Sequence, residues 1–100
     1  MIAIVQSKMG IPIRLTDERW VHIMEEHCEM ADLRSDILET ITAPERIFLG
    51  NDGERMAVKE HLPGKYLVAV YREREEDGFV ITAFLTRRIH TLERKPLLWP

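Results

Sequence analysis

The chain has 100 residues, 45% of them hydrophobic and 31% charged, the ordinary balance of one small globular domain. That apolar content excludes wholesale disorder, and no apolar run approaches the roughly 18 residues of a membrane span. A formal charge of −3 argues against a broadly basic nucleic-acid coat.

The charge is unevenly spread. Residues 1–64 carry seven Lys/Arg against twelve Asp/Glu, a net of −5. Residues 79–100 carry Arg87, Arg88, Arg94 and Lys95 against Glu93 alone, a net of +3. The most acidic stretch, 17–39, reads first as a solvated helical face. Cys28 is the only cysteine, which leaves no intramolecular disulfide and no cysteine-based zinc site. With no secretory signal recognisable at the N-terminus, the expected location is the reducing cytoplasm.

In chain order, the first 15 residues read as extended. Ile2, Ile4, Ile11, Ile13 and Leu15 alternate with other residues around a break at Gly10-Ile11-Pro12. Thr16 is a helix cap, with Asp17 and Glu18 in the first turn, where the dipole favours carboxylates. The spacing predicts a helix over about 17–28, with Trp20, Val21, Ile23, Met24 and Cys28 on one apolar face. A second helix over about 33–42, capped by Asp32, carries the stripe Leu33, Ile37, Leu38 and Ile41 and stops near Pro44.

The period then changes to two. Residues 46–50 and 55–62 read as strands around the turn Asn51-Asp52-Gly53, and Pro63-Gly64 makes another turn. The strongest strands are 66–74 and 79–88. The expected class is α+β: a short extended lead, two helices, then an antiparallel meander of about four strands over 46–88, all in one domain. The tail ends in Leu97, Leu98 and Trp99, an apolar patch for packing or for a homodimer; the expected state is a monomer or a homodimer.

Two histidines lie on the first helix. A zinc-protease helix needs His-Glu-x-x-His, whereas His22 and His27 are five apart and about 140° apart around the helix. His22 falls at about 200° from Trp20, on the solvent side, and His27 at about 340°, inside the apolar face. A polar ring on the packed side needs a partner. It is either a hydrogen-bonded histidine at a helix C-terminus or a general acid or base aimed at the sheet.

In the last hairpin, a two- or four-residue loop puts Leu67, Ala69, Tyr71 and Glu73 on one face with Thr82, Phe84, Thr86 and Arg88. A three-residue loop would reverse that pairing. The other face, with Val68, Val70, Phe79, Ile81, Ala83 and Leu85, is the one expected to meet the helices. The first face mixes rings that stack bases with hydroxyls and cations, as binding of single-stranded RNA requires. His27, Lys59, His61, Tyr71, Arg72, Thr86 and Arg87 supply the groups for RNA cleavage without metal or cofactor.

The helix ending in His27, the step Thr42-Ala43-Pro44-Glu45-Arg46-Ile47, the strand Tyr66-Leu67-Val68-Ala69-Val70-Tyr71-Arg72 and the closing run Phe79-Val80-Ile81-Thr82-Ala83-Phe84-Leu85-Thr86-Arg87-Arg88 form a pattern. Over about residues 14–90 it resembles the barnase–EndoU–colicin–RelE group of small metal-independent nucleases, in particular its phage-associated branch. It is similar in layout to the BrnT toxins, whose first helix closes on a histidine. The resemblance implies a RelE- or BrnT-like fold and a toxin-type ribonuclease with no cofactor. It implies catalytic residues at His27, Arg72, Thr86 and Arg87, with His22 and Thr82 as further candidates. The partners it implies are RNA and an antitoxin-like protein. A binding domain that keeps the fold without catalysis is the alternative.

Overall fold

The computed structural model describes residues 2–100. In chain order these form β1 (Ile2–Gln6), β2 (Pro12–Thr16), α1 (Asp17–Glu26), α2 (Arg34–Thr42), β3 (Arg46–Leu49), β4 (Arg55–Leu62), β5 (Lys65–Arg74), β6 (Asp77–Thr86), α3 (Ile89–Leu92) and β7 (Leu97–Trp99). The class is α+β, but the sheet has seven strands and the helices number three among the described residues. The strand order is β1-β2-β6-β5-β4-β3-β7.

The expected meander of β3 to β6 forms the middle of this sheet. The extended lead is not a separate segment. It folds as the hairpin β1–β2, and β2 then pairs parallel to β6 at Ile13↔Gly78 and Arg14↔Phe79. The tail adds α3 and places β7 on the free edge of β3. Both additions depend on partners far away in the sequence, which local periodicity does not announce.

Thr16 caps α1 as expected, its hydroxyl accepting from the Arg19 N–H at 3.1 Å. The helix stops at Glu26, two residues early, because His27 leaves helical geometry at φ −136°, ψ 76°. Cys28–Met30 then make one 3-10 turn that buries Met30. At α2 the cap position is Leu33, which has no side-chain hydrogen bond; Asp32 is not the cap. Ile23, Met30, Ile37 and Ile41 pack on the inner face of the sheet, against Ile13, Leu15, Leu67, Ala69, Tyr71, Val80 and Ala83. Full burial of each such aliphatic side chain contributes roughly 1.5–3 kcal/mol.

The inner face is therefore the one carrying Leu67, Ala69 and Tyr71, the reverse of the expected orientation. The turn between β5 and β6 is the two-residue Glu75-Glu76, and near it the pairing follows the short-loop register, with Arg72↔Phe79 and Tyr71↔Val80. A bulge then intervenes, and beyond it the pairs are Val70↔Thr82, Ala69↔Ala83, Val68↔Phe84 and Tyr66↔Thr86. One extra residue in β6 reverses its inside–outside alternation. Ala83 and Leu85 thus turn inward with Val80, while Phe79, Thr82, Phe84 and Thr86 share the outer face. On that outer face Phe48, Val58, Val68 and Val70 are covered by Leu92, with Ile89 packed beside it.

The loop after β1 ties the two edges of the sheet together. Ser7 Oγ donates to Glu73 Oε2 at 2.6 Å, and Glu73 Oε1 lies 3.3 Å from Arg55 Nε. The next residue, Lys8, sets its ammonium 4.6 Å from the centre of the Trp99 ring. The Cα radius of gyration, 12.4 Å, is close to the ~13 Å of a compact chain of this length. No helix among the described residues is long and apolar enough to cross a membrane.

At Gly78 the junction of β2 and β6 is too close for a side chain: a Cβ there would collide with the Arg72 carbonyl oxygen and the Ile13 side chain. Substituting Gly78→Ala is expected to cost about 1–3 kcal/mol. Urea unfolding monitored by far-UV circular dichroism checks this, as a lower midpoint at unchanged slope.

Candidate functional site

One end of the sheet gathers most of the chemistry-bearing residues. It is built from the end of β4, the Pro63-Gly64 turn, the start of β5, the end of β6 and the C-terminus of α1. His27 comes there because α1 terminates at it. Its N–H still donates to the Ile23 carbonyl at 2.8 Å, while its side chain has left the helical path. The imidazole is one-third exposed, its Nδ1 3.6 Å from Glu29 Oε2, and its ring centre is 6.0 Å from that of Phe84. The expected inward face of α1 thus delivers His27 to the edge of β6 and not into the core.

Thr86 lies two residues beyond Phe84 on the same outer face, about 7 Å along the strand. Its Oγ1 accepts from the Arg88 N–H at 3.0 Å, which turns the chain into α3. Arg87 is exposed and reaches toward the neighbouring turn, its Nη1 3.8 Å from where a Cβ would stand on Gly64. Among the described residues, the side chains of Lys65, Arg87 and Arg88 make neither an ion pair nor a hydrogen bond. Arg14, Arg34, Arg46, Arg55 and Lys59 are each held by a carboxylate. These cations share the end with Glu29 beside His27 and with Glu60, whose carboxylate accepts from the Gly64 N–H at 3.0 Å.

Lys59 and His61 occupy the same end, on the inner side. With Asp36, Glu39, Thr40, Glu60 and Leu67 they line a cleft of about 150 Å³ between α2 and β4. Lys59 Nζ is engaged by Glu39 Oε1 at 2.9 Å. Among the described residues no group of three or more His, Cys, Asp or Glu is placed to hold a metal ion. His22 is exposed on α1, and Cys28 is exposed beside His27.

Three candidates lie elsewhere. Arg72 pairs with Phe79, six residues of β5 away from the Tyr66↔Thr86 pair, so about 20 Å of strand separates it from Thr86. There it donates from Nη2 to the Asp52 carbonyl at 3.1 Å. The Thr82 hydroxyl is buried on the outer face with no hydrogen-bond partner. Tyr71 is 1% exposed on the inner face, beside Glu73 and Arg55, at a cavity of about 110 Å³ also lined by Met9, Ile47 and Leu98.

Burial, and then the Glu73 carboxylate, push the Tyr71 phenol well above its ordinary value. The folded chain therefore holds the phenolic proton more tightly than the unfolded chain. The associated stability is complete below the unfolded value near 10 and is lost as pH rises above it. Unfolding midpoints between pH 9 and 11 are expected to fall in the wild type and to fall less in Tyr71→Phe.

The sequence puts Phe84 but not Phe79 on the mixed face, whereas the two share the outer face of β6. The only signal would have been the bulge, and nothing in the run Phe79–Leu85 marks it. The fold and site define a small α+β domain with a mixed seven-stranded sheet, one end of which gathers His27, Thr86, Lys65, Arg87 and Arg88. In comparisons with known proteins, no family model, curated protein or solved structure matches the chain.

Proposed function

We propose that the chain is a small ribonuclease of toxin type, working by general acid–base chemistry without a cofactor at the His27 end of the sheet. One observation supports this most: an accessible imidazole meets an aromatic ring there, with Thr86 and the unpaired Arg87, Arg88 and Lys65 alongside. RNA supplies its own nucleophile. A base removes the 2′-hydroxyl proton, O2′ attacks the adjacent phosphorus, and the 5′-oxygen leaves as an alcohol once protonated. His27 serves one of the two proton transfers. Arg87 faces the phosphate, whose crowded transition state gains charge that a guanidinium stabilises. Thr86 orients a phosphate oxygen.

The resemblance to the barnase–EndoU–colicin–RelE group and to BrnT toxins is consistent with this chemistry, and an antitoxin-like protein would be the matching partner in a reducing cytoplasm. A second reading, RNA or protein binding without cleavage, draws on the distance between Arg72 and Thr86, which divides the expected catalytic set. Cleavage of a fluorogenic oligoribonucleotide in EDTA separates the two. His27→Ala is expected to lower kcat by about 10²–10⁴, and Arg87→Ala to lower it with little change in fold. No cleavage by either would leave the binding reading, and equal cleavage by wild type and His27→Ala would remove His27 from the catalytic role.

A further inference from the structure

We infer that the outer face of β6 is a platform for single-stranded RNA of at least three nucleotides, with Phe79 and Phe84 each receiving a base. The inference rests on the RNA reading above and extends it away from the reacting phosphate. Phe79 and Phe84 are five positions apart, so a regular strand would point them to opposite faces. The bulge opposite Val70–Tyr71 brings them to the same face, where Phe79 stands across from Arg72 and Phe84 across from Val68. Both residues are partly exposed, Phe84 with one side packed against the outer cluster of Phe48, Val58, Val68, Val70 and Leu92.

Each ring has a cationic or protonatable neighbour. The Arg74 guanidinium carbon is 5.4 Å from the centre of Phe79, and the His27 ring is 6.0 Å from Phe84. Arg72 adds a second guanidinium beside Phe79, held by a backbone carbonyl and not by an acid. The rings are separated by four residues of β5, about 13 Å. A stacked nucleotide step is only about 3.4 Å, so the two rings serve non-adjacent bases. Aromatic faces spaced along a strand and flanked by guanidinium groups match the alternation of base and phosphate in an unpaired chain. Arg72 is thereby a binding residue for the distant end of the substrate, separate from the reacting phosphate. Exposed Ile2 and Ile4 on β1, which β2 separates from β6, make a protein contact the rival occupant.

Fluorescence anisotropy with 2′-O-methyl oligouridylates tests the platform without cleavage, because the nucleophile is blocked. The hexamer is expected to bind at least tenfold more tightly than the dimer. Phe79→Leu should remove most of that difference while leaving dimer affinity and thermal stability close to wild type. Phe79→Trp should restore hexamer binding, and Arg74→Ala should weaken it and make it less dependent on salt. Hexamer affinity unchanged in Phe79→Leu, or equal for hexamer and dimer, would overturn the inference. So would absence of hexamer binding together with self-association that Ile4→Lys abolishes. Length-dependent binding in a protein that cleaves nothing would sink the ribonuclease reading alone. Cleavage that requires His27 but is indifferent to Phe79 would sink the platform alone.

Discussion

The extra residue in β6 governs which side chains this sheet shows to its helices and which to its other face. Near the Glu75-Glu76 turn, even-numbered residues of β6 point inward, as Val80 does opposite Tyr71. Past the bulge, odd-numbered residues do, with Ala83 and Leu85 beneath the helices. Without that shift Ala83 would turn outward and Phe84 would be driven into the space that Ile23 and Met30 fill. A ring in place of a methyl group there would overpack a core whose neighbours are almost entirely inaccessible. The bulge therefore reconciles a short, tight turn with a helix-facing core, and it leaves both phenylalanines outside.

The same device explains why the hairpin was only half legible. The register expected for a two- or four-residue loop holds for the residues next to the turn, although β6 starts at Asp77 and leaves a turn of only two residues. The error arose where register was extrapolated along the whole strand at a strict period of two. Both faces of this hairpin are rich in apolar residues, so hydrophobic pattern could not choose between them. The choice was made by α3, whose Leu92 covers Val68 and Val70 and lets the outer face be apolar too. The start of helix α1, by contrast, was legible down to its cap, since Thr16, Asp17 and Glu18 act locally, although Val21 and Cys28 of its expected apolar face are exposed. The end of the helix was not legible, because His27 breaks helical geometry without a glycine or proline to mark the stop. The extended character of β1 and β2 was legible, but the pairing of β2 with β6 and the strand β7 were not: those partners are distant in sequence, and a short apolar segment does not name the edge it will join.

For the candidate site, proximity was not readable in the sequence. His27, Thr86 and Arg87 belong to one end of the sheet because β6 runs back toward the C-terminus of α1. Arg72 belongs to the other end because it sits just before the β5–β6 turn, where antiparallel pairing carries it away from Thr86. Sequence distance misleads here, since Arg72 and Thr86 are joined by a hairpin yet lie nearly a full strand apart. Tyr71 next to Arg72 is a further instance. Its ring and hydroxyl suggest chemistry, yet one step along the pleat takes it from the outer face to the closed side against Glu73.

The acidic total also acquires a physical reading once the ion pairs are placed. Arg14, Arg34, Arg46, Arg55 and Lys59 are each held by carboxylates, so they add little field at a distance. Lys65, Arg87 and Arg88 carry most of the uncompensated positive charge at the His27 end. So few free cations release few counterions, which gives weak attraction to duplex backbones and a shallow dependence on salt. Affinity for a nucleic acid would then come mainly from ring stacking, which requires bases that are already unpaired. On the proposed RNA reading, a net negative chain with two outward phenylalanines on one strand therefore favours an unpaired strand over a duplex.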